Sequence, residues 1–333
     1  MSMLNTPIHI GNLEIKNRLV MPPMATAKSS SDGKVTKQLC DYYAEKSNGG
    51  YIGLIIVEHS YISPDGKASL GQLSISDDSD IPGLKKLTDV IHQNGSPVFA
   101  QLNHAGSATT KDITGLQTIS ASPVQSPKGG ASLPKEMTSE DMKKVVDSFA
   151  KAALRAKQAG FDGVEIHSAH GYLLNQFYSP LSNKRKDDYN GSTIEGRMKL
   201  HLEVIQAVRG AVGKEYPISL RLGACDYQTG GSTIEDAVQA AVALEKSGID
   251  LLSLSGGFCG YIHPTIKEQG WFSEISQAVK NKVSTPILLT GGVAEARFAE
   301  ELLKHNKADL IGVGRAILKD SAWAKNAVSS ILE

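Results

Sequence analysis

Cysteine is scarce in this chain. Its 333 residues include three cysteines, at positions 40, 225 and 259. An odd number at such wide spacing fits neither a disulfide framework nor the closely spaced ligands of a zinc or iron–sulfur site. The sequence therefore predicts no structural disulfides and no bound metal.

Excess charge and long apolar runs are also missing. The chain has 35 basic and 35 acidic side chains, a formal net charge of zero, so we expect neither nucleic acid nor a membrane surface as a partner. No stretch approaches transmembrane length, and the opening MSMLNTPIHIGNLEIKNRL has no apolar run between its charges and no cleavage site. We expect a cytoplasmic location without a signal peptide.

Short apolar runs rich in Ile, Leu and Val recur along the chain, as is typical of strands that are buried on both faces. There are eight of these runs: Leu19–Met24, Gly53–His59, Pro97–Asn103, Gly163–Ser168, Pro217–Gly223, Leu251–Gly257, Pro286–Gly292 and Leu310–Arg315. Amphipathic helical patterns lie between them, at Thr36–Ser47, Ile81–Asn94, Ser139–Gln158, Ile194–Val212, Thr233–Lys246 and Ala294–His305. This alternation predicts an α/β fold, a single (β/α)8 TIM barrel over residues 1–333.

The connection after the third predicted strand, Asn103 to Ser139, is far longer than an ordinary loop and rich in Ser, Thr, Gly and Pro. Long connections of this kind in compact domains are usually functional or disordered. We interpret it as a lid-like excursion over the mouth of the barrel.

The stretch GVEIHSAHGYLLNQFYSPL, residues 163–181, places His167, His170 and Tyr172 where a predicted strand passes into a helix. Ligands bind at the carboxyl ends of strands in parallel α/β folds. Two imidazoles can donate hydrogen bonds to one substrate oxygen, and a neighbouring phenol holds a proton to give. For any one of the three, a capping or packing role is the stronger interpretation, but together they favour a catalytic site.

Two glycine turns follow the last two predicted strands. Thr290-Gly291-Gly292 ends the seventh strand, and Gly314-Arg315 opens a short helix after the eighth. Glycines let backbone N–H groups approach a phosphate, and an arginine adds a charge-assisted contact. Each turn alone is explained as a tight turn, whereas the pair predicts a phosphate site.

Several segments resemble the Old Yellow Enzyme family, in order through nearly the whole chain. They are NRLVMPPMAT (Asn17–Thr26), QLNHAG (Gln101–Gly106), EIHSAHGYLLNQFYSP (Glu165–Pro180), RKDDYNGS (Arg185–Ser192), the strand ending at Arg221, and GVGR (Gly312–Arg315). The resemblance implies a barrel that binds FMN tightly but non-covalently, oxidises NADH or NADPH, and reduces activated C=C bonds of enones or nitroalkenes by a ping-pong mechanism.

The resemblance also implies roles for individual residues. Pro23, Met24 and Ala25 would lie against the flavin ring, with Gln101 and Arg221 at its edge, Gly291, Gly292, Gly314 and Arg315 at the phosphate, His167 and His170 on the substrate oxygen, and Tyr172 as proton donor. Three positions depart from the family pattern. Ala25 replaces a threonine or cysteine, Ala27 replaces the substrate-clamping tyrosine of one branch, and His59 replaces a small residue near the flavin unless it turns outward to the surface.

Other functions are compatible with these residues. Larger relatives such as dienoyl-CoA reductases and amine dehydrogenases attach an iron–sulfur module, so this chain would be such a barrel without that module and would depend on a diffusing reductant. No GxGxxG pattern follows a predicted strand, so the sequence predicts no separate site for the nicotinamide. An aldolase or isomerase barrel would require a lysine or a carboxylate base at a strand end. A non-catalytic flavin-binding protein would bind FMN but show no turnover. A homo-oligomer is compatible with the sequence.

Overall fold

The structure is a computed structural model that describes residues 2–126 and 132–331. In chain order its elements are β1 (Ile8–Ile10), β2 (Leu13–Ile15), β3 (Leu19–Met21), α1 (Lys37–Ser47), β4 (Leu54–Tyr61), α2 (Ile81–Gln93), β5 (Val98–Asn103), α3 (Lys111–Thr114), β6 (Ile119–Ser120), β7 (Lys135–Glu136), α4 (Ser139–Gln158), β8 (Gly163–Ser168), α5 (Leu173–Tyr178), α6 (Ile194–Val212), β9 (Ile218–Cys225), α7 (Ile234–Lys246), β10 (Leu251–Gly256), α8 (Ser273–Lys280), β11 (Ile287–Thr290), α9 (Ala296–Lys304), β12 (Leu310–Gly312), α10 (Arg315–Lys319) and α11 (Trp323–Ser330).

Eight parallel strands close into a barrel in the order β3, β4, β5, β8, β9, β10, β11, β12, with β12 pairing back to β3. Each strand coincides with one of the eight predicted apolar runs, and all six predicted helices are present. The predicted (β/α)8 barrel is therefore confirmed. Its eight parallel strands bring eight strand-to-helix loops to one face, which is where a site is expected.

Alternate residues of each strand face opposite sides, which divides the core into two apolar layers. Leu19, Met21 and Ile55 belong to the large cluster between strands and helices. The smaller cluster takes the other strand residues and therefore lies inside the barrel. It contains Ile10, Ile15, Val20, Leu54, Ile56, Phe99, Leu251, Leu288 and Leu310. Because Ile10 and Ile15 come from the β1–β2 hairpin, that hairpin contributes to the barrel interior.

The long connection after β5 carries α3 and a two-stranded parallel sheet of β6 and β7. The Ser107 N–H and the Ser120 hydroxyl both donate to Oε1 of Gln176 on α5, at 3.1 and 3.0 Å. These bonds attach the predicted excursion to the loop that follows β8, at the mouth of the barrel. Its residues 127–131 lie outside the described part of the chain.

Strained backbone conformations are concentrated in the connections that follow barrel strands. Among residues 2–126 and 132–331, four non-glycine residues have positive φ angles, and three of them, Ala27 (54°), His170 (59°) and Tyr227 (51°), lie in connections after barrel strands. Such conformations cost of order 1–3 kcal/mol each and tend to cluster at functional sites. Within the described residues, no helix has the length and apolar character to cross a membrane.

Candidate active site

His167, His170 and Tyr172 converge at the carboxyl end of β8, as the sequence predicts. The His167 ring centroid lies 5.2 Å from that of His170 and 5.1 Å from that of Tyr172. His167 is 3% exposed and His170 is 9% exposed. Two buried imidazoles and a partly buried phenol therefore lie close together.

The turn between β8 and α5 explains this convergence. His170 and Gly171 take consecutive left-handed conformations, with φ of 59° and 75°, so the chain reverses within two residues. Asn175 Oδ1 accepts the Gly171 N–H at 2.7 Å, and Tyr172 then caps the helix in an extended conformation. The strained turn brings the His170 and Tyr172 rings back to the side of His167.

A chain of polar contacts runs from His170 to Arg221. Ser255 Oγ, on β10, lies 2.8 Å from His170 Nε2, and Arg221 Nη2, on β9, donates to the same oxygen at 3.4 Å. A guanidinium can only donate, so the Ser255 hydrogen is available for His170 Nε2. That arrangement favours the imidazole tautomer with its hydrogen on Nδ1.

Glu165 is a buried carboxylate near Gln101 and Arg221, and sequence reasoning did not single it out. Gln101 Nε2 donates to Glu165 Oε1 at 2.8 Å, and Ser219 Oγ donates to Oε2 at 3.2 Å. Burial raises the pKa of Glu165, and the charge of Arg221 opposes that rise. Burial also lowers the pKa of Arg221 while Glu165 raises it, so the two charges depend on each other.

His59 faces the cluster, so its outward-turned alternative is wrong. Its ring centroid lies 5.4 Å from that of Tyr172 and 6.4 Å from that of His167. Gln72 Nε2 and Asn103 Nδ2 lie 2.8 and 3.3 Å from His59 Nδ1. A shift in the β4–β5 register between Val57 and Ser60 accompanies this orientation.

The predicted phosphate turns lie side by side at the ends of β11 and β12, which pair in parallel. A Cβ built on Gly314 would lie 3.2 Å from Met24 Sδ, so the loop after β3 borders the second turn. Pro23 and Met24 are half-buried and Ala25 is exposed. The structure thus brings the residues of three predicted binding segments to one edge of the mouth.

Asp226, Ser255 and Trp271 also belong to this region but were missed by sequence reasoning. Asp226 is buried and accepts hydrogen bonds from the Ser179 hydroxyl (2.5 Å), the Ser232 N–H (2.8 Å) and the Phe258 N–H (2.8 Å). It therefore joins the loops after β8, β9 and β10. The only signal in the sequence was a polar residue directly after an apolar strand.

Glu58 is a second buried carboxyl group near the mouth, next to His59 on β4. Thr26 Oγ1 donates to Glu58 Oε2 at 2.6 Å, and the Glu58 N–H donates to the Tyr43 hydroxyl at 2.9 Å. Burial raises the pKa of Glu58 to about 7, against hydrogen bonds from Thr26 that lower it. Glu58 is therefore partly protonated at neutral pH.

Glu58 should make the fold less stable as the pH rises. The pKa of Glu58 in the folded protein exceeds the ordinary value of 4.5, so the protonated side chain stabilises the fold. This stabilisation is complete below pH 4.5 and is lost as the pH rises through about 7. Glu58→Gln should reduce the fall in unfolding free energy between pH 5 and 8 by about 2 kcal/mol. Urea unfolding at both pH values measures this. The same variant of Glu14, an exposed residue of β2, is the control; equal slopes in wild type and Glu58→Gln would contradict the assignment.

Unsatisfied buried groups indicate where a cofactor fits. Arg221 Nε and Thr290 Oγ1 are buried and have no hydrogen-bond partner among the described residues. Buried donors without partners are costly, so a ligand that supplies acceptors beside Arg221 on β9 and at the end of β11 would remove that cost. A flavin mononucleotide has ring carbonyls and a phosphate for these two places, and the donor set fits it.

Comparisons with known proteins identify a family for this chain. A sequence model of the NADH:flavin oxidoreductase / NADH oxidase family matches residues 3–332. A protein named NADH oxidase from Thermoanaerobacter brockii is 41% identical over 324 residues, which are 96% of this chain and 49% of that protein. An NADPH dehydrogenase of Clostridium acetobutylicum is 37% identical over 93% of this chain and 90% of its own length.

A structure of the Old Yellow Enzyme homologue from Zymomonas mobilis superposes with a TM-score of 0.86 at 26% identity, over 98% of this chain and 92% of that one. The chain spans about half the length of the NADH oxidase that it matches. The resemblance in the sequence is thereby confirmed: the chain belongs to the NADH:flavin oxidoreductase / NADH oxidase family, the family of the Old Yellow Enzymes, and its cofactor is FMN.

Proposed function

We propose that the chain is an NAD(P)H-dependent FMN oxidoreductase that reduces the C=C bond of α,β-unsaturated carbonyl or nitro compounds. The observation that carries this proposal is the convergence of the His167, His170 and Tyr172 rings at the end of β8. Two hydrogen-bond donors beside an acid suit a substrate that gains negative charge on an oxygen and a proton on a carbon.

Each part of the mouth would hold a different part of the cofactor. FMN, when bound, would supply the redox step, since it can accept a hydride from NAD(P)H and pass one to a substrate carbon. The residues that would hold it are Pro23, Met24, Ala25 and His59 beside the ring, Gln101 and Arg221 at the ring edge, and Gly291, Gly292, Gly314 and Arg315 at the phosphate. NAD(P)H and the alkene would occupy the same histidine cluster in turn, which gives a ping-pong order.

His167 and His170 would bind the carbonyl or nitro oxygen of the substrate. The contact of His170 Nε2 with Ser255 supports a hydrogen on Nδ1, where a substrate oxygen can accept it. As negative charge grows on that oxygen, both hydrogen bonds strengthen, because a charged acceptor binds a donor more strongly than a neutral one. The pair would therefore stabilise the enolate or nitronate more than the substrate.

Tyr172 would protonate the substrate carbon next to the polarised group. Burial raises the pKa of Tyr172 above its ordinary value of 10.0, so the phenol carries its hydrogen at neutral pH. Its ring lies 5.1 Å from that of His167, which keeps the acid beside the bound oxygen. A phenol that keeps its hydrogen suits a proton donor rather than a base.

Phenolates test the histidine assignment, because they place an anionic oxygen against the same donors. We expect His167→Ala and His170→Ala each to weaken binding of a p-substituted phenol by about 1–3 kcal/mol, the cost of losing a hydrogen bond to a charged group. The measurement is titration of the holoprotein, followed by the long-wavelength charge-transfer absorbance. His9→Ala, which changes an exposed side chain of the β1–β2 hairpin, is the control. Unchanged phenol affinity in both cluster variants would show that these histidines do not bind the oxygen.

A further inference from the structure

Trp271 is a buried tryptophan beside the first glycine turn. It lies in the connection between β10 and α8, and 8% of its surface is exposed. Its Nε1 is buried and has no acceptor among residues 2–126 and 132–331. Buried indole N–H groups usually find a partner, and one left unsatisfied costs about 1–3 kcal/mol. A ligand with an acceptor at this position would remove that cost.

The indole is held against the first glycine turn by its side chain and its backbone. A Cβ on Gly292 would overlap the benzene edge of the indole, and one on Gly291 would lie 3.2 Å from its Cδ1, the atom bonded to Nε1. The N–H groups of Gly270 and Trp271 donate to Gly291 O at 2.7 and 3.2 Å. Gly292 therefore has to be a glycine, because the indole occupies the space beside it, and a side chain at Gly291 would be in tight contact with the same ring.

Arg315, at the second turn, stacks on the same indole. Its guanidinium carbon lies 4.9 Å from the ring centroid, within the range of a cation–π interaction. Arg315 is itself exposed, so this contact orients its side chain without burying the charge. Trp271 thus bridges the two turns that are proposed to hold the phosphate.

We propose that Trp271 is an additional cofactor-binding residue, which donates its indole N–H to a phosphate oxygen of FMN and positions Arg315 for the same group. This inference rests on the FMN site described above. Three independent observations support it: the unpartnered buried donor, the fit of the indole to the glycine turn, and the stacked arginine. A residue that served only as packing would have no need of an N–H group at this place.

The first test compares FMN with riboflavin, which lacks the phosphate. Trp271→Phe keeps an aromatic ring for Arg315 but removes the donor. On the full chain freed of flavin, we expect this variant to bind FMN about 10- to 100-fold more weakly and riboflavin with nearly unchanged affinity, as for the loss of a hydrogen bond to a charged group. Quenching of flavin fluorescence gives both dissociation constants.

Trp323→Phe is the matched control, because the chain has two tryptophans and Trp323 Nε1 already donates to Ala294 O at 2.8 Å. It should bind both flavins as the wild type does. An equal loss of FMN and riboflavin affinity in Trp271→Phe, or no loss, would overturn the proposal. Wild-type protein that binds neither flavin would instead reject the FMN site itself, so the two failures are distinguishable.

A second measurement leaves Trp271 in place. In protein labelled with 15N-tryptophan, two indole N–H signals are expected, and the Trp323→Phe variant identifies the one from Trp271. Formation of a hydrogen bond to phosphate should move that signal downfield in the FMN complex relative to the riboflavin complex. The same position in both complexes would overturn the proposal, even if Trp271→Phe did not fold.

Discussion

Replacement of Tyr172 by phenylalanine is expected to slow reoxidation of the reduced holoprotein by 2-cyclohexenone by roughly 10²–10⁴-fold, the usual contribution of a positioned acid. Reduction by NADH or NADPH should keep its wild-type rate, because no proton is delivered to carbon in that half-reaction. The ring that packs near His59 and His167 remains in this variant, so the change removes one hydroxyl group. Stopped-flow absorbance under anaerobic conditions resolves the two phases.

A nitroalkene provides the internal control for Tyr172→Phe. Its product can leave as a stabilised nitronate without immediate protonation, so reoxidation by a nitroalkene should stay fast in the variant. Wild-type rates with cyclohexenone would show that another group is the acid. If NADPH no longer reduced the variant, Tyr172 would instead be maintaining the structure of the site.

Arg221→Met is expected to destabilise the fold by about 1–3 kcal/mol, because it removes the positive charge that offsets the burial of the Glu165 carboxylate. Glu165 is fully buried, and only Arg221 among its surroundings offsets burial with charge. Without that charge the pKa of Glu165 rises further. The loss of stability should therefore be larger at pH 8 than at pH 5, since stability falls as pH rises through a raised carboxyl pKa.

Urea unfolding of the chain freed of flavin measures this effect without a contribution from cofactor affinity. The double variant Arg221→Met, Glu165→Gln removes both charges and keeps an amide that can accept from Gln101. It should recover part of the stability and lose the added pH dependence. If Arg221→Met were as stable as the wild type at both pH values, the two charges would not be coupled.

The barrel was predictable because its strands are buried on both faces and therefore appear as continuous apolar runs. The β1–β2 hairpin escaped prediction, since its three-residue strands IHI and LEI are too short to show a period. Helix α8 also escaped, because only Ile275, Ser276 and Val279 of its eight residues are buried. Short elements depend on tertiary contacts that their own sequence does not encode.

The residues of the candidate site also fall into those that the sequence predicts and those that only the fold brings together. His167, His170 and Tyr172 are neighbours in the sequence, so their density was visible before the fold was known. Ser255 and Trp271 join the site across other strands and loops, and the spacing of residues cannot show such contacts. The direction of His59 could not be predicted either, because a register shift in β4 accompanies it.

The central claim, that this cluster reduces activated C=C bonds, is tested most directly in the absence of oxygen. Holoprotein that has been reduced by an equimolar amount of NADH or NADPH is mixed with 2-cyclohexenone, and flavin absorbance and products are followed together. We predict that the oxidised flavin spectrum returns and that cyclohexanone forms in equimolar amount. A flavin that stays reduced, with the cyclohexenone unchanged, would contradict the account and leave a flavin-binding protein without this activity.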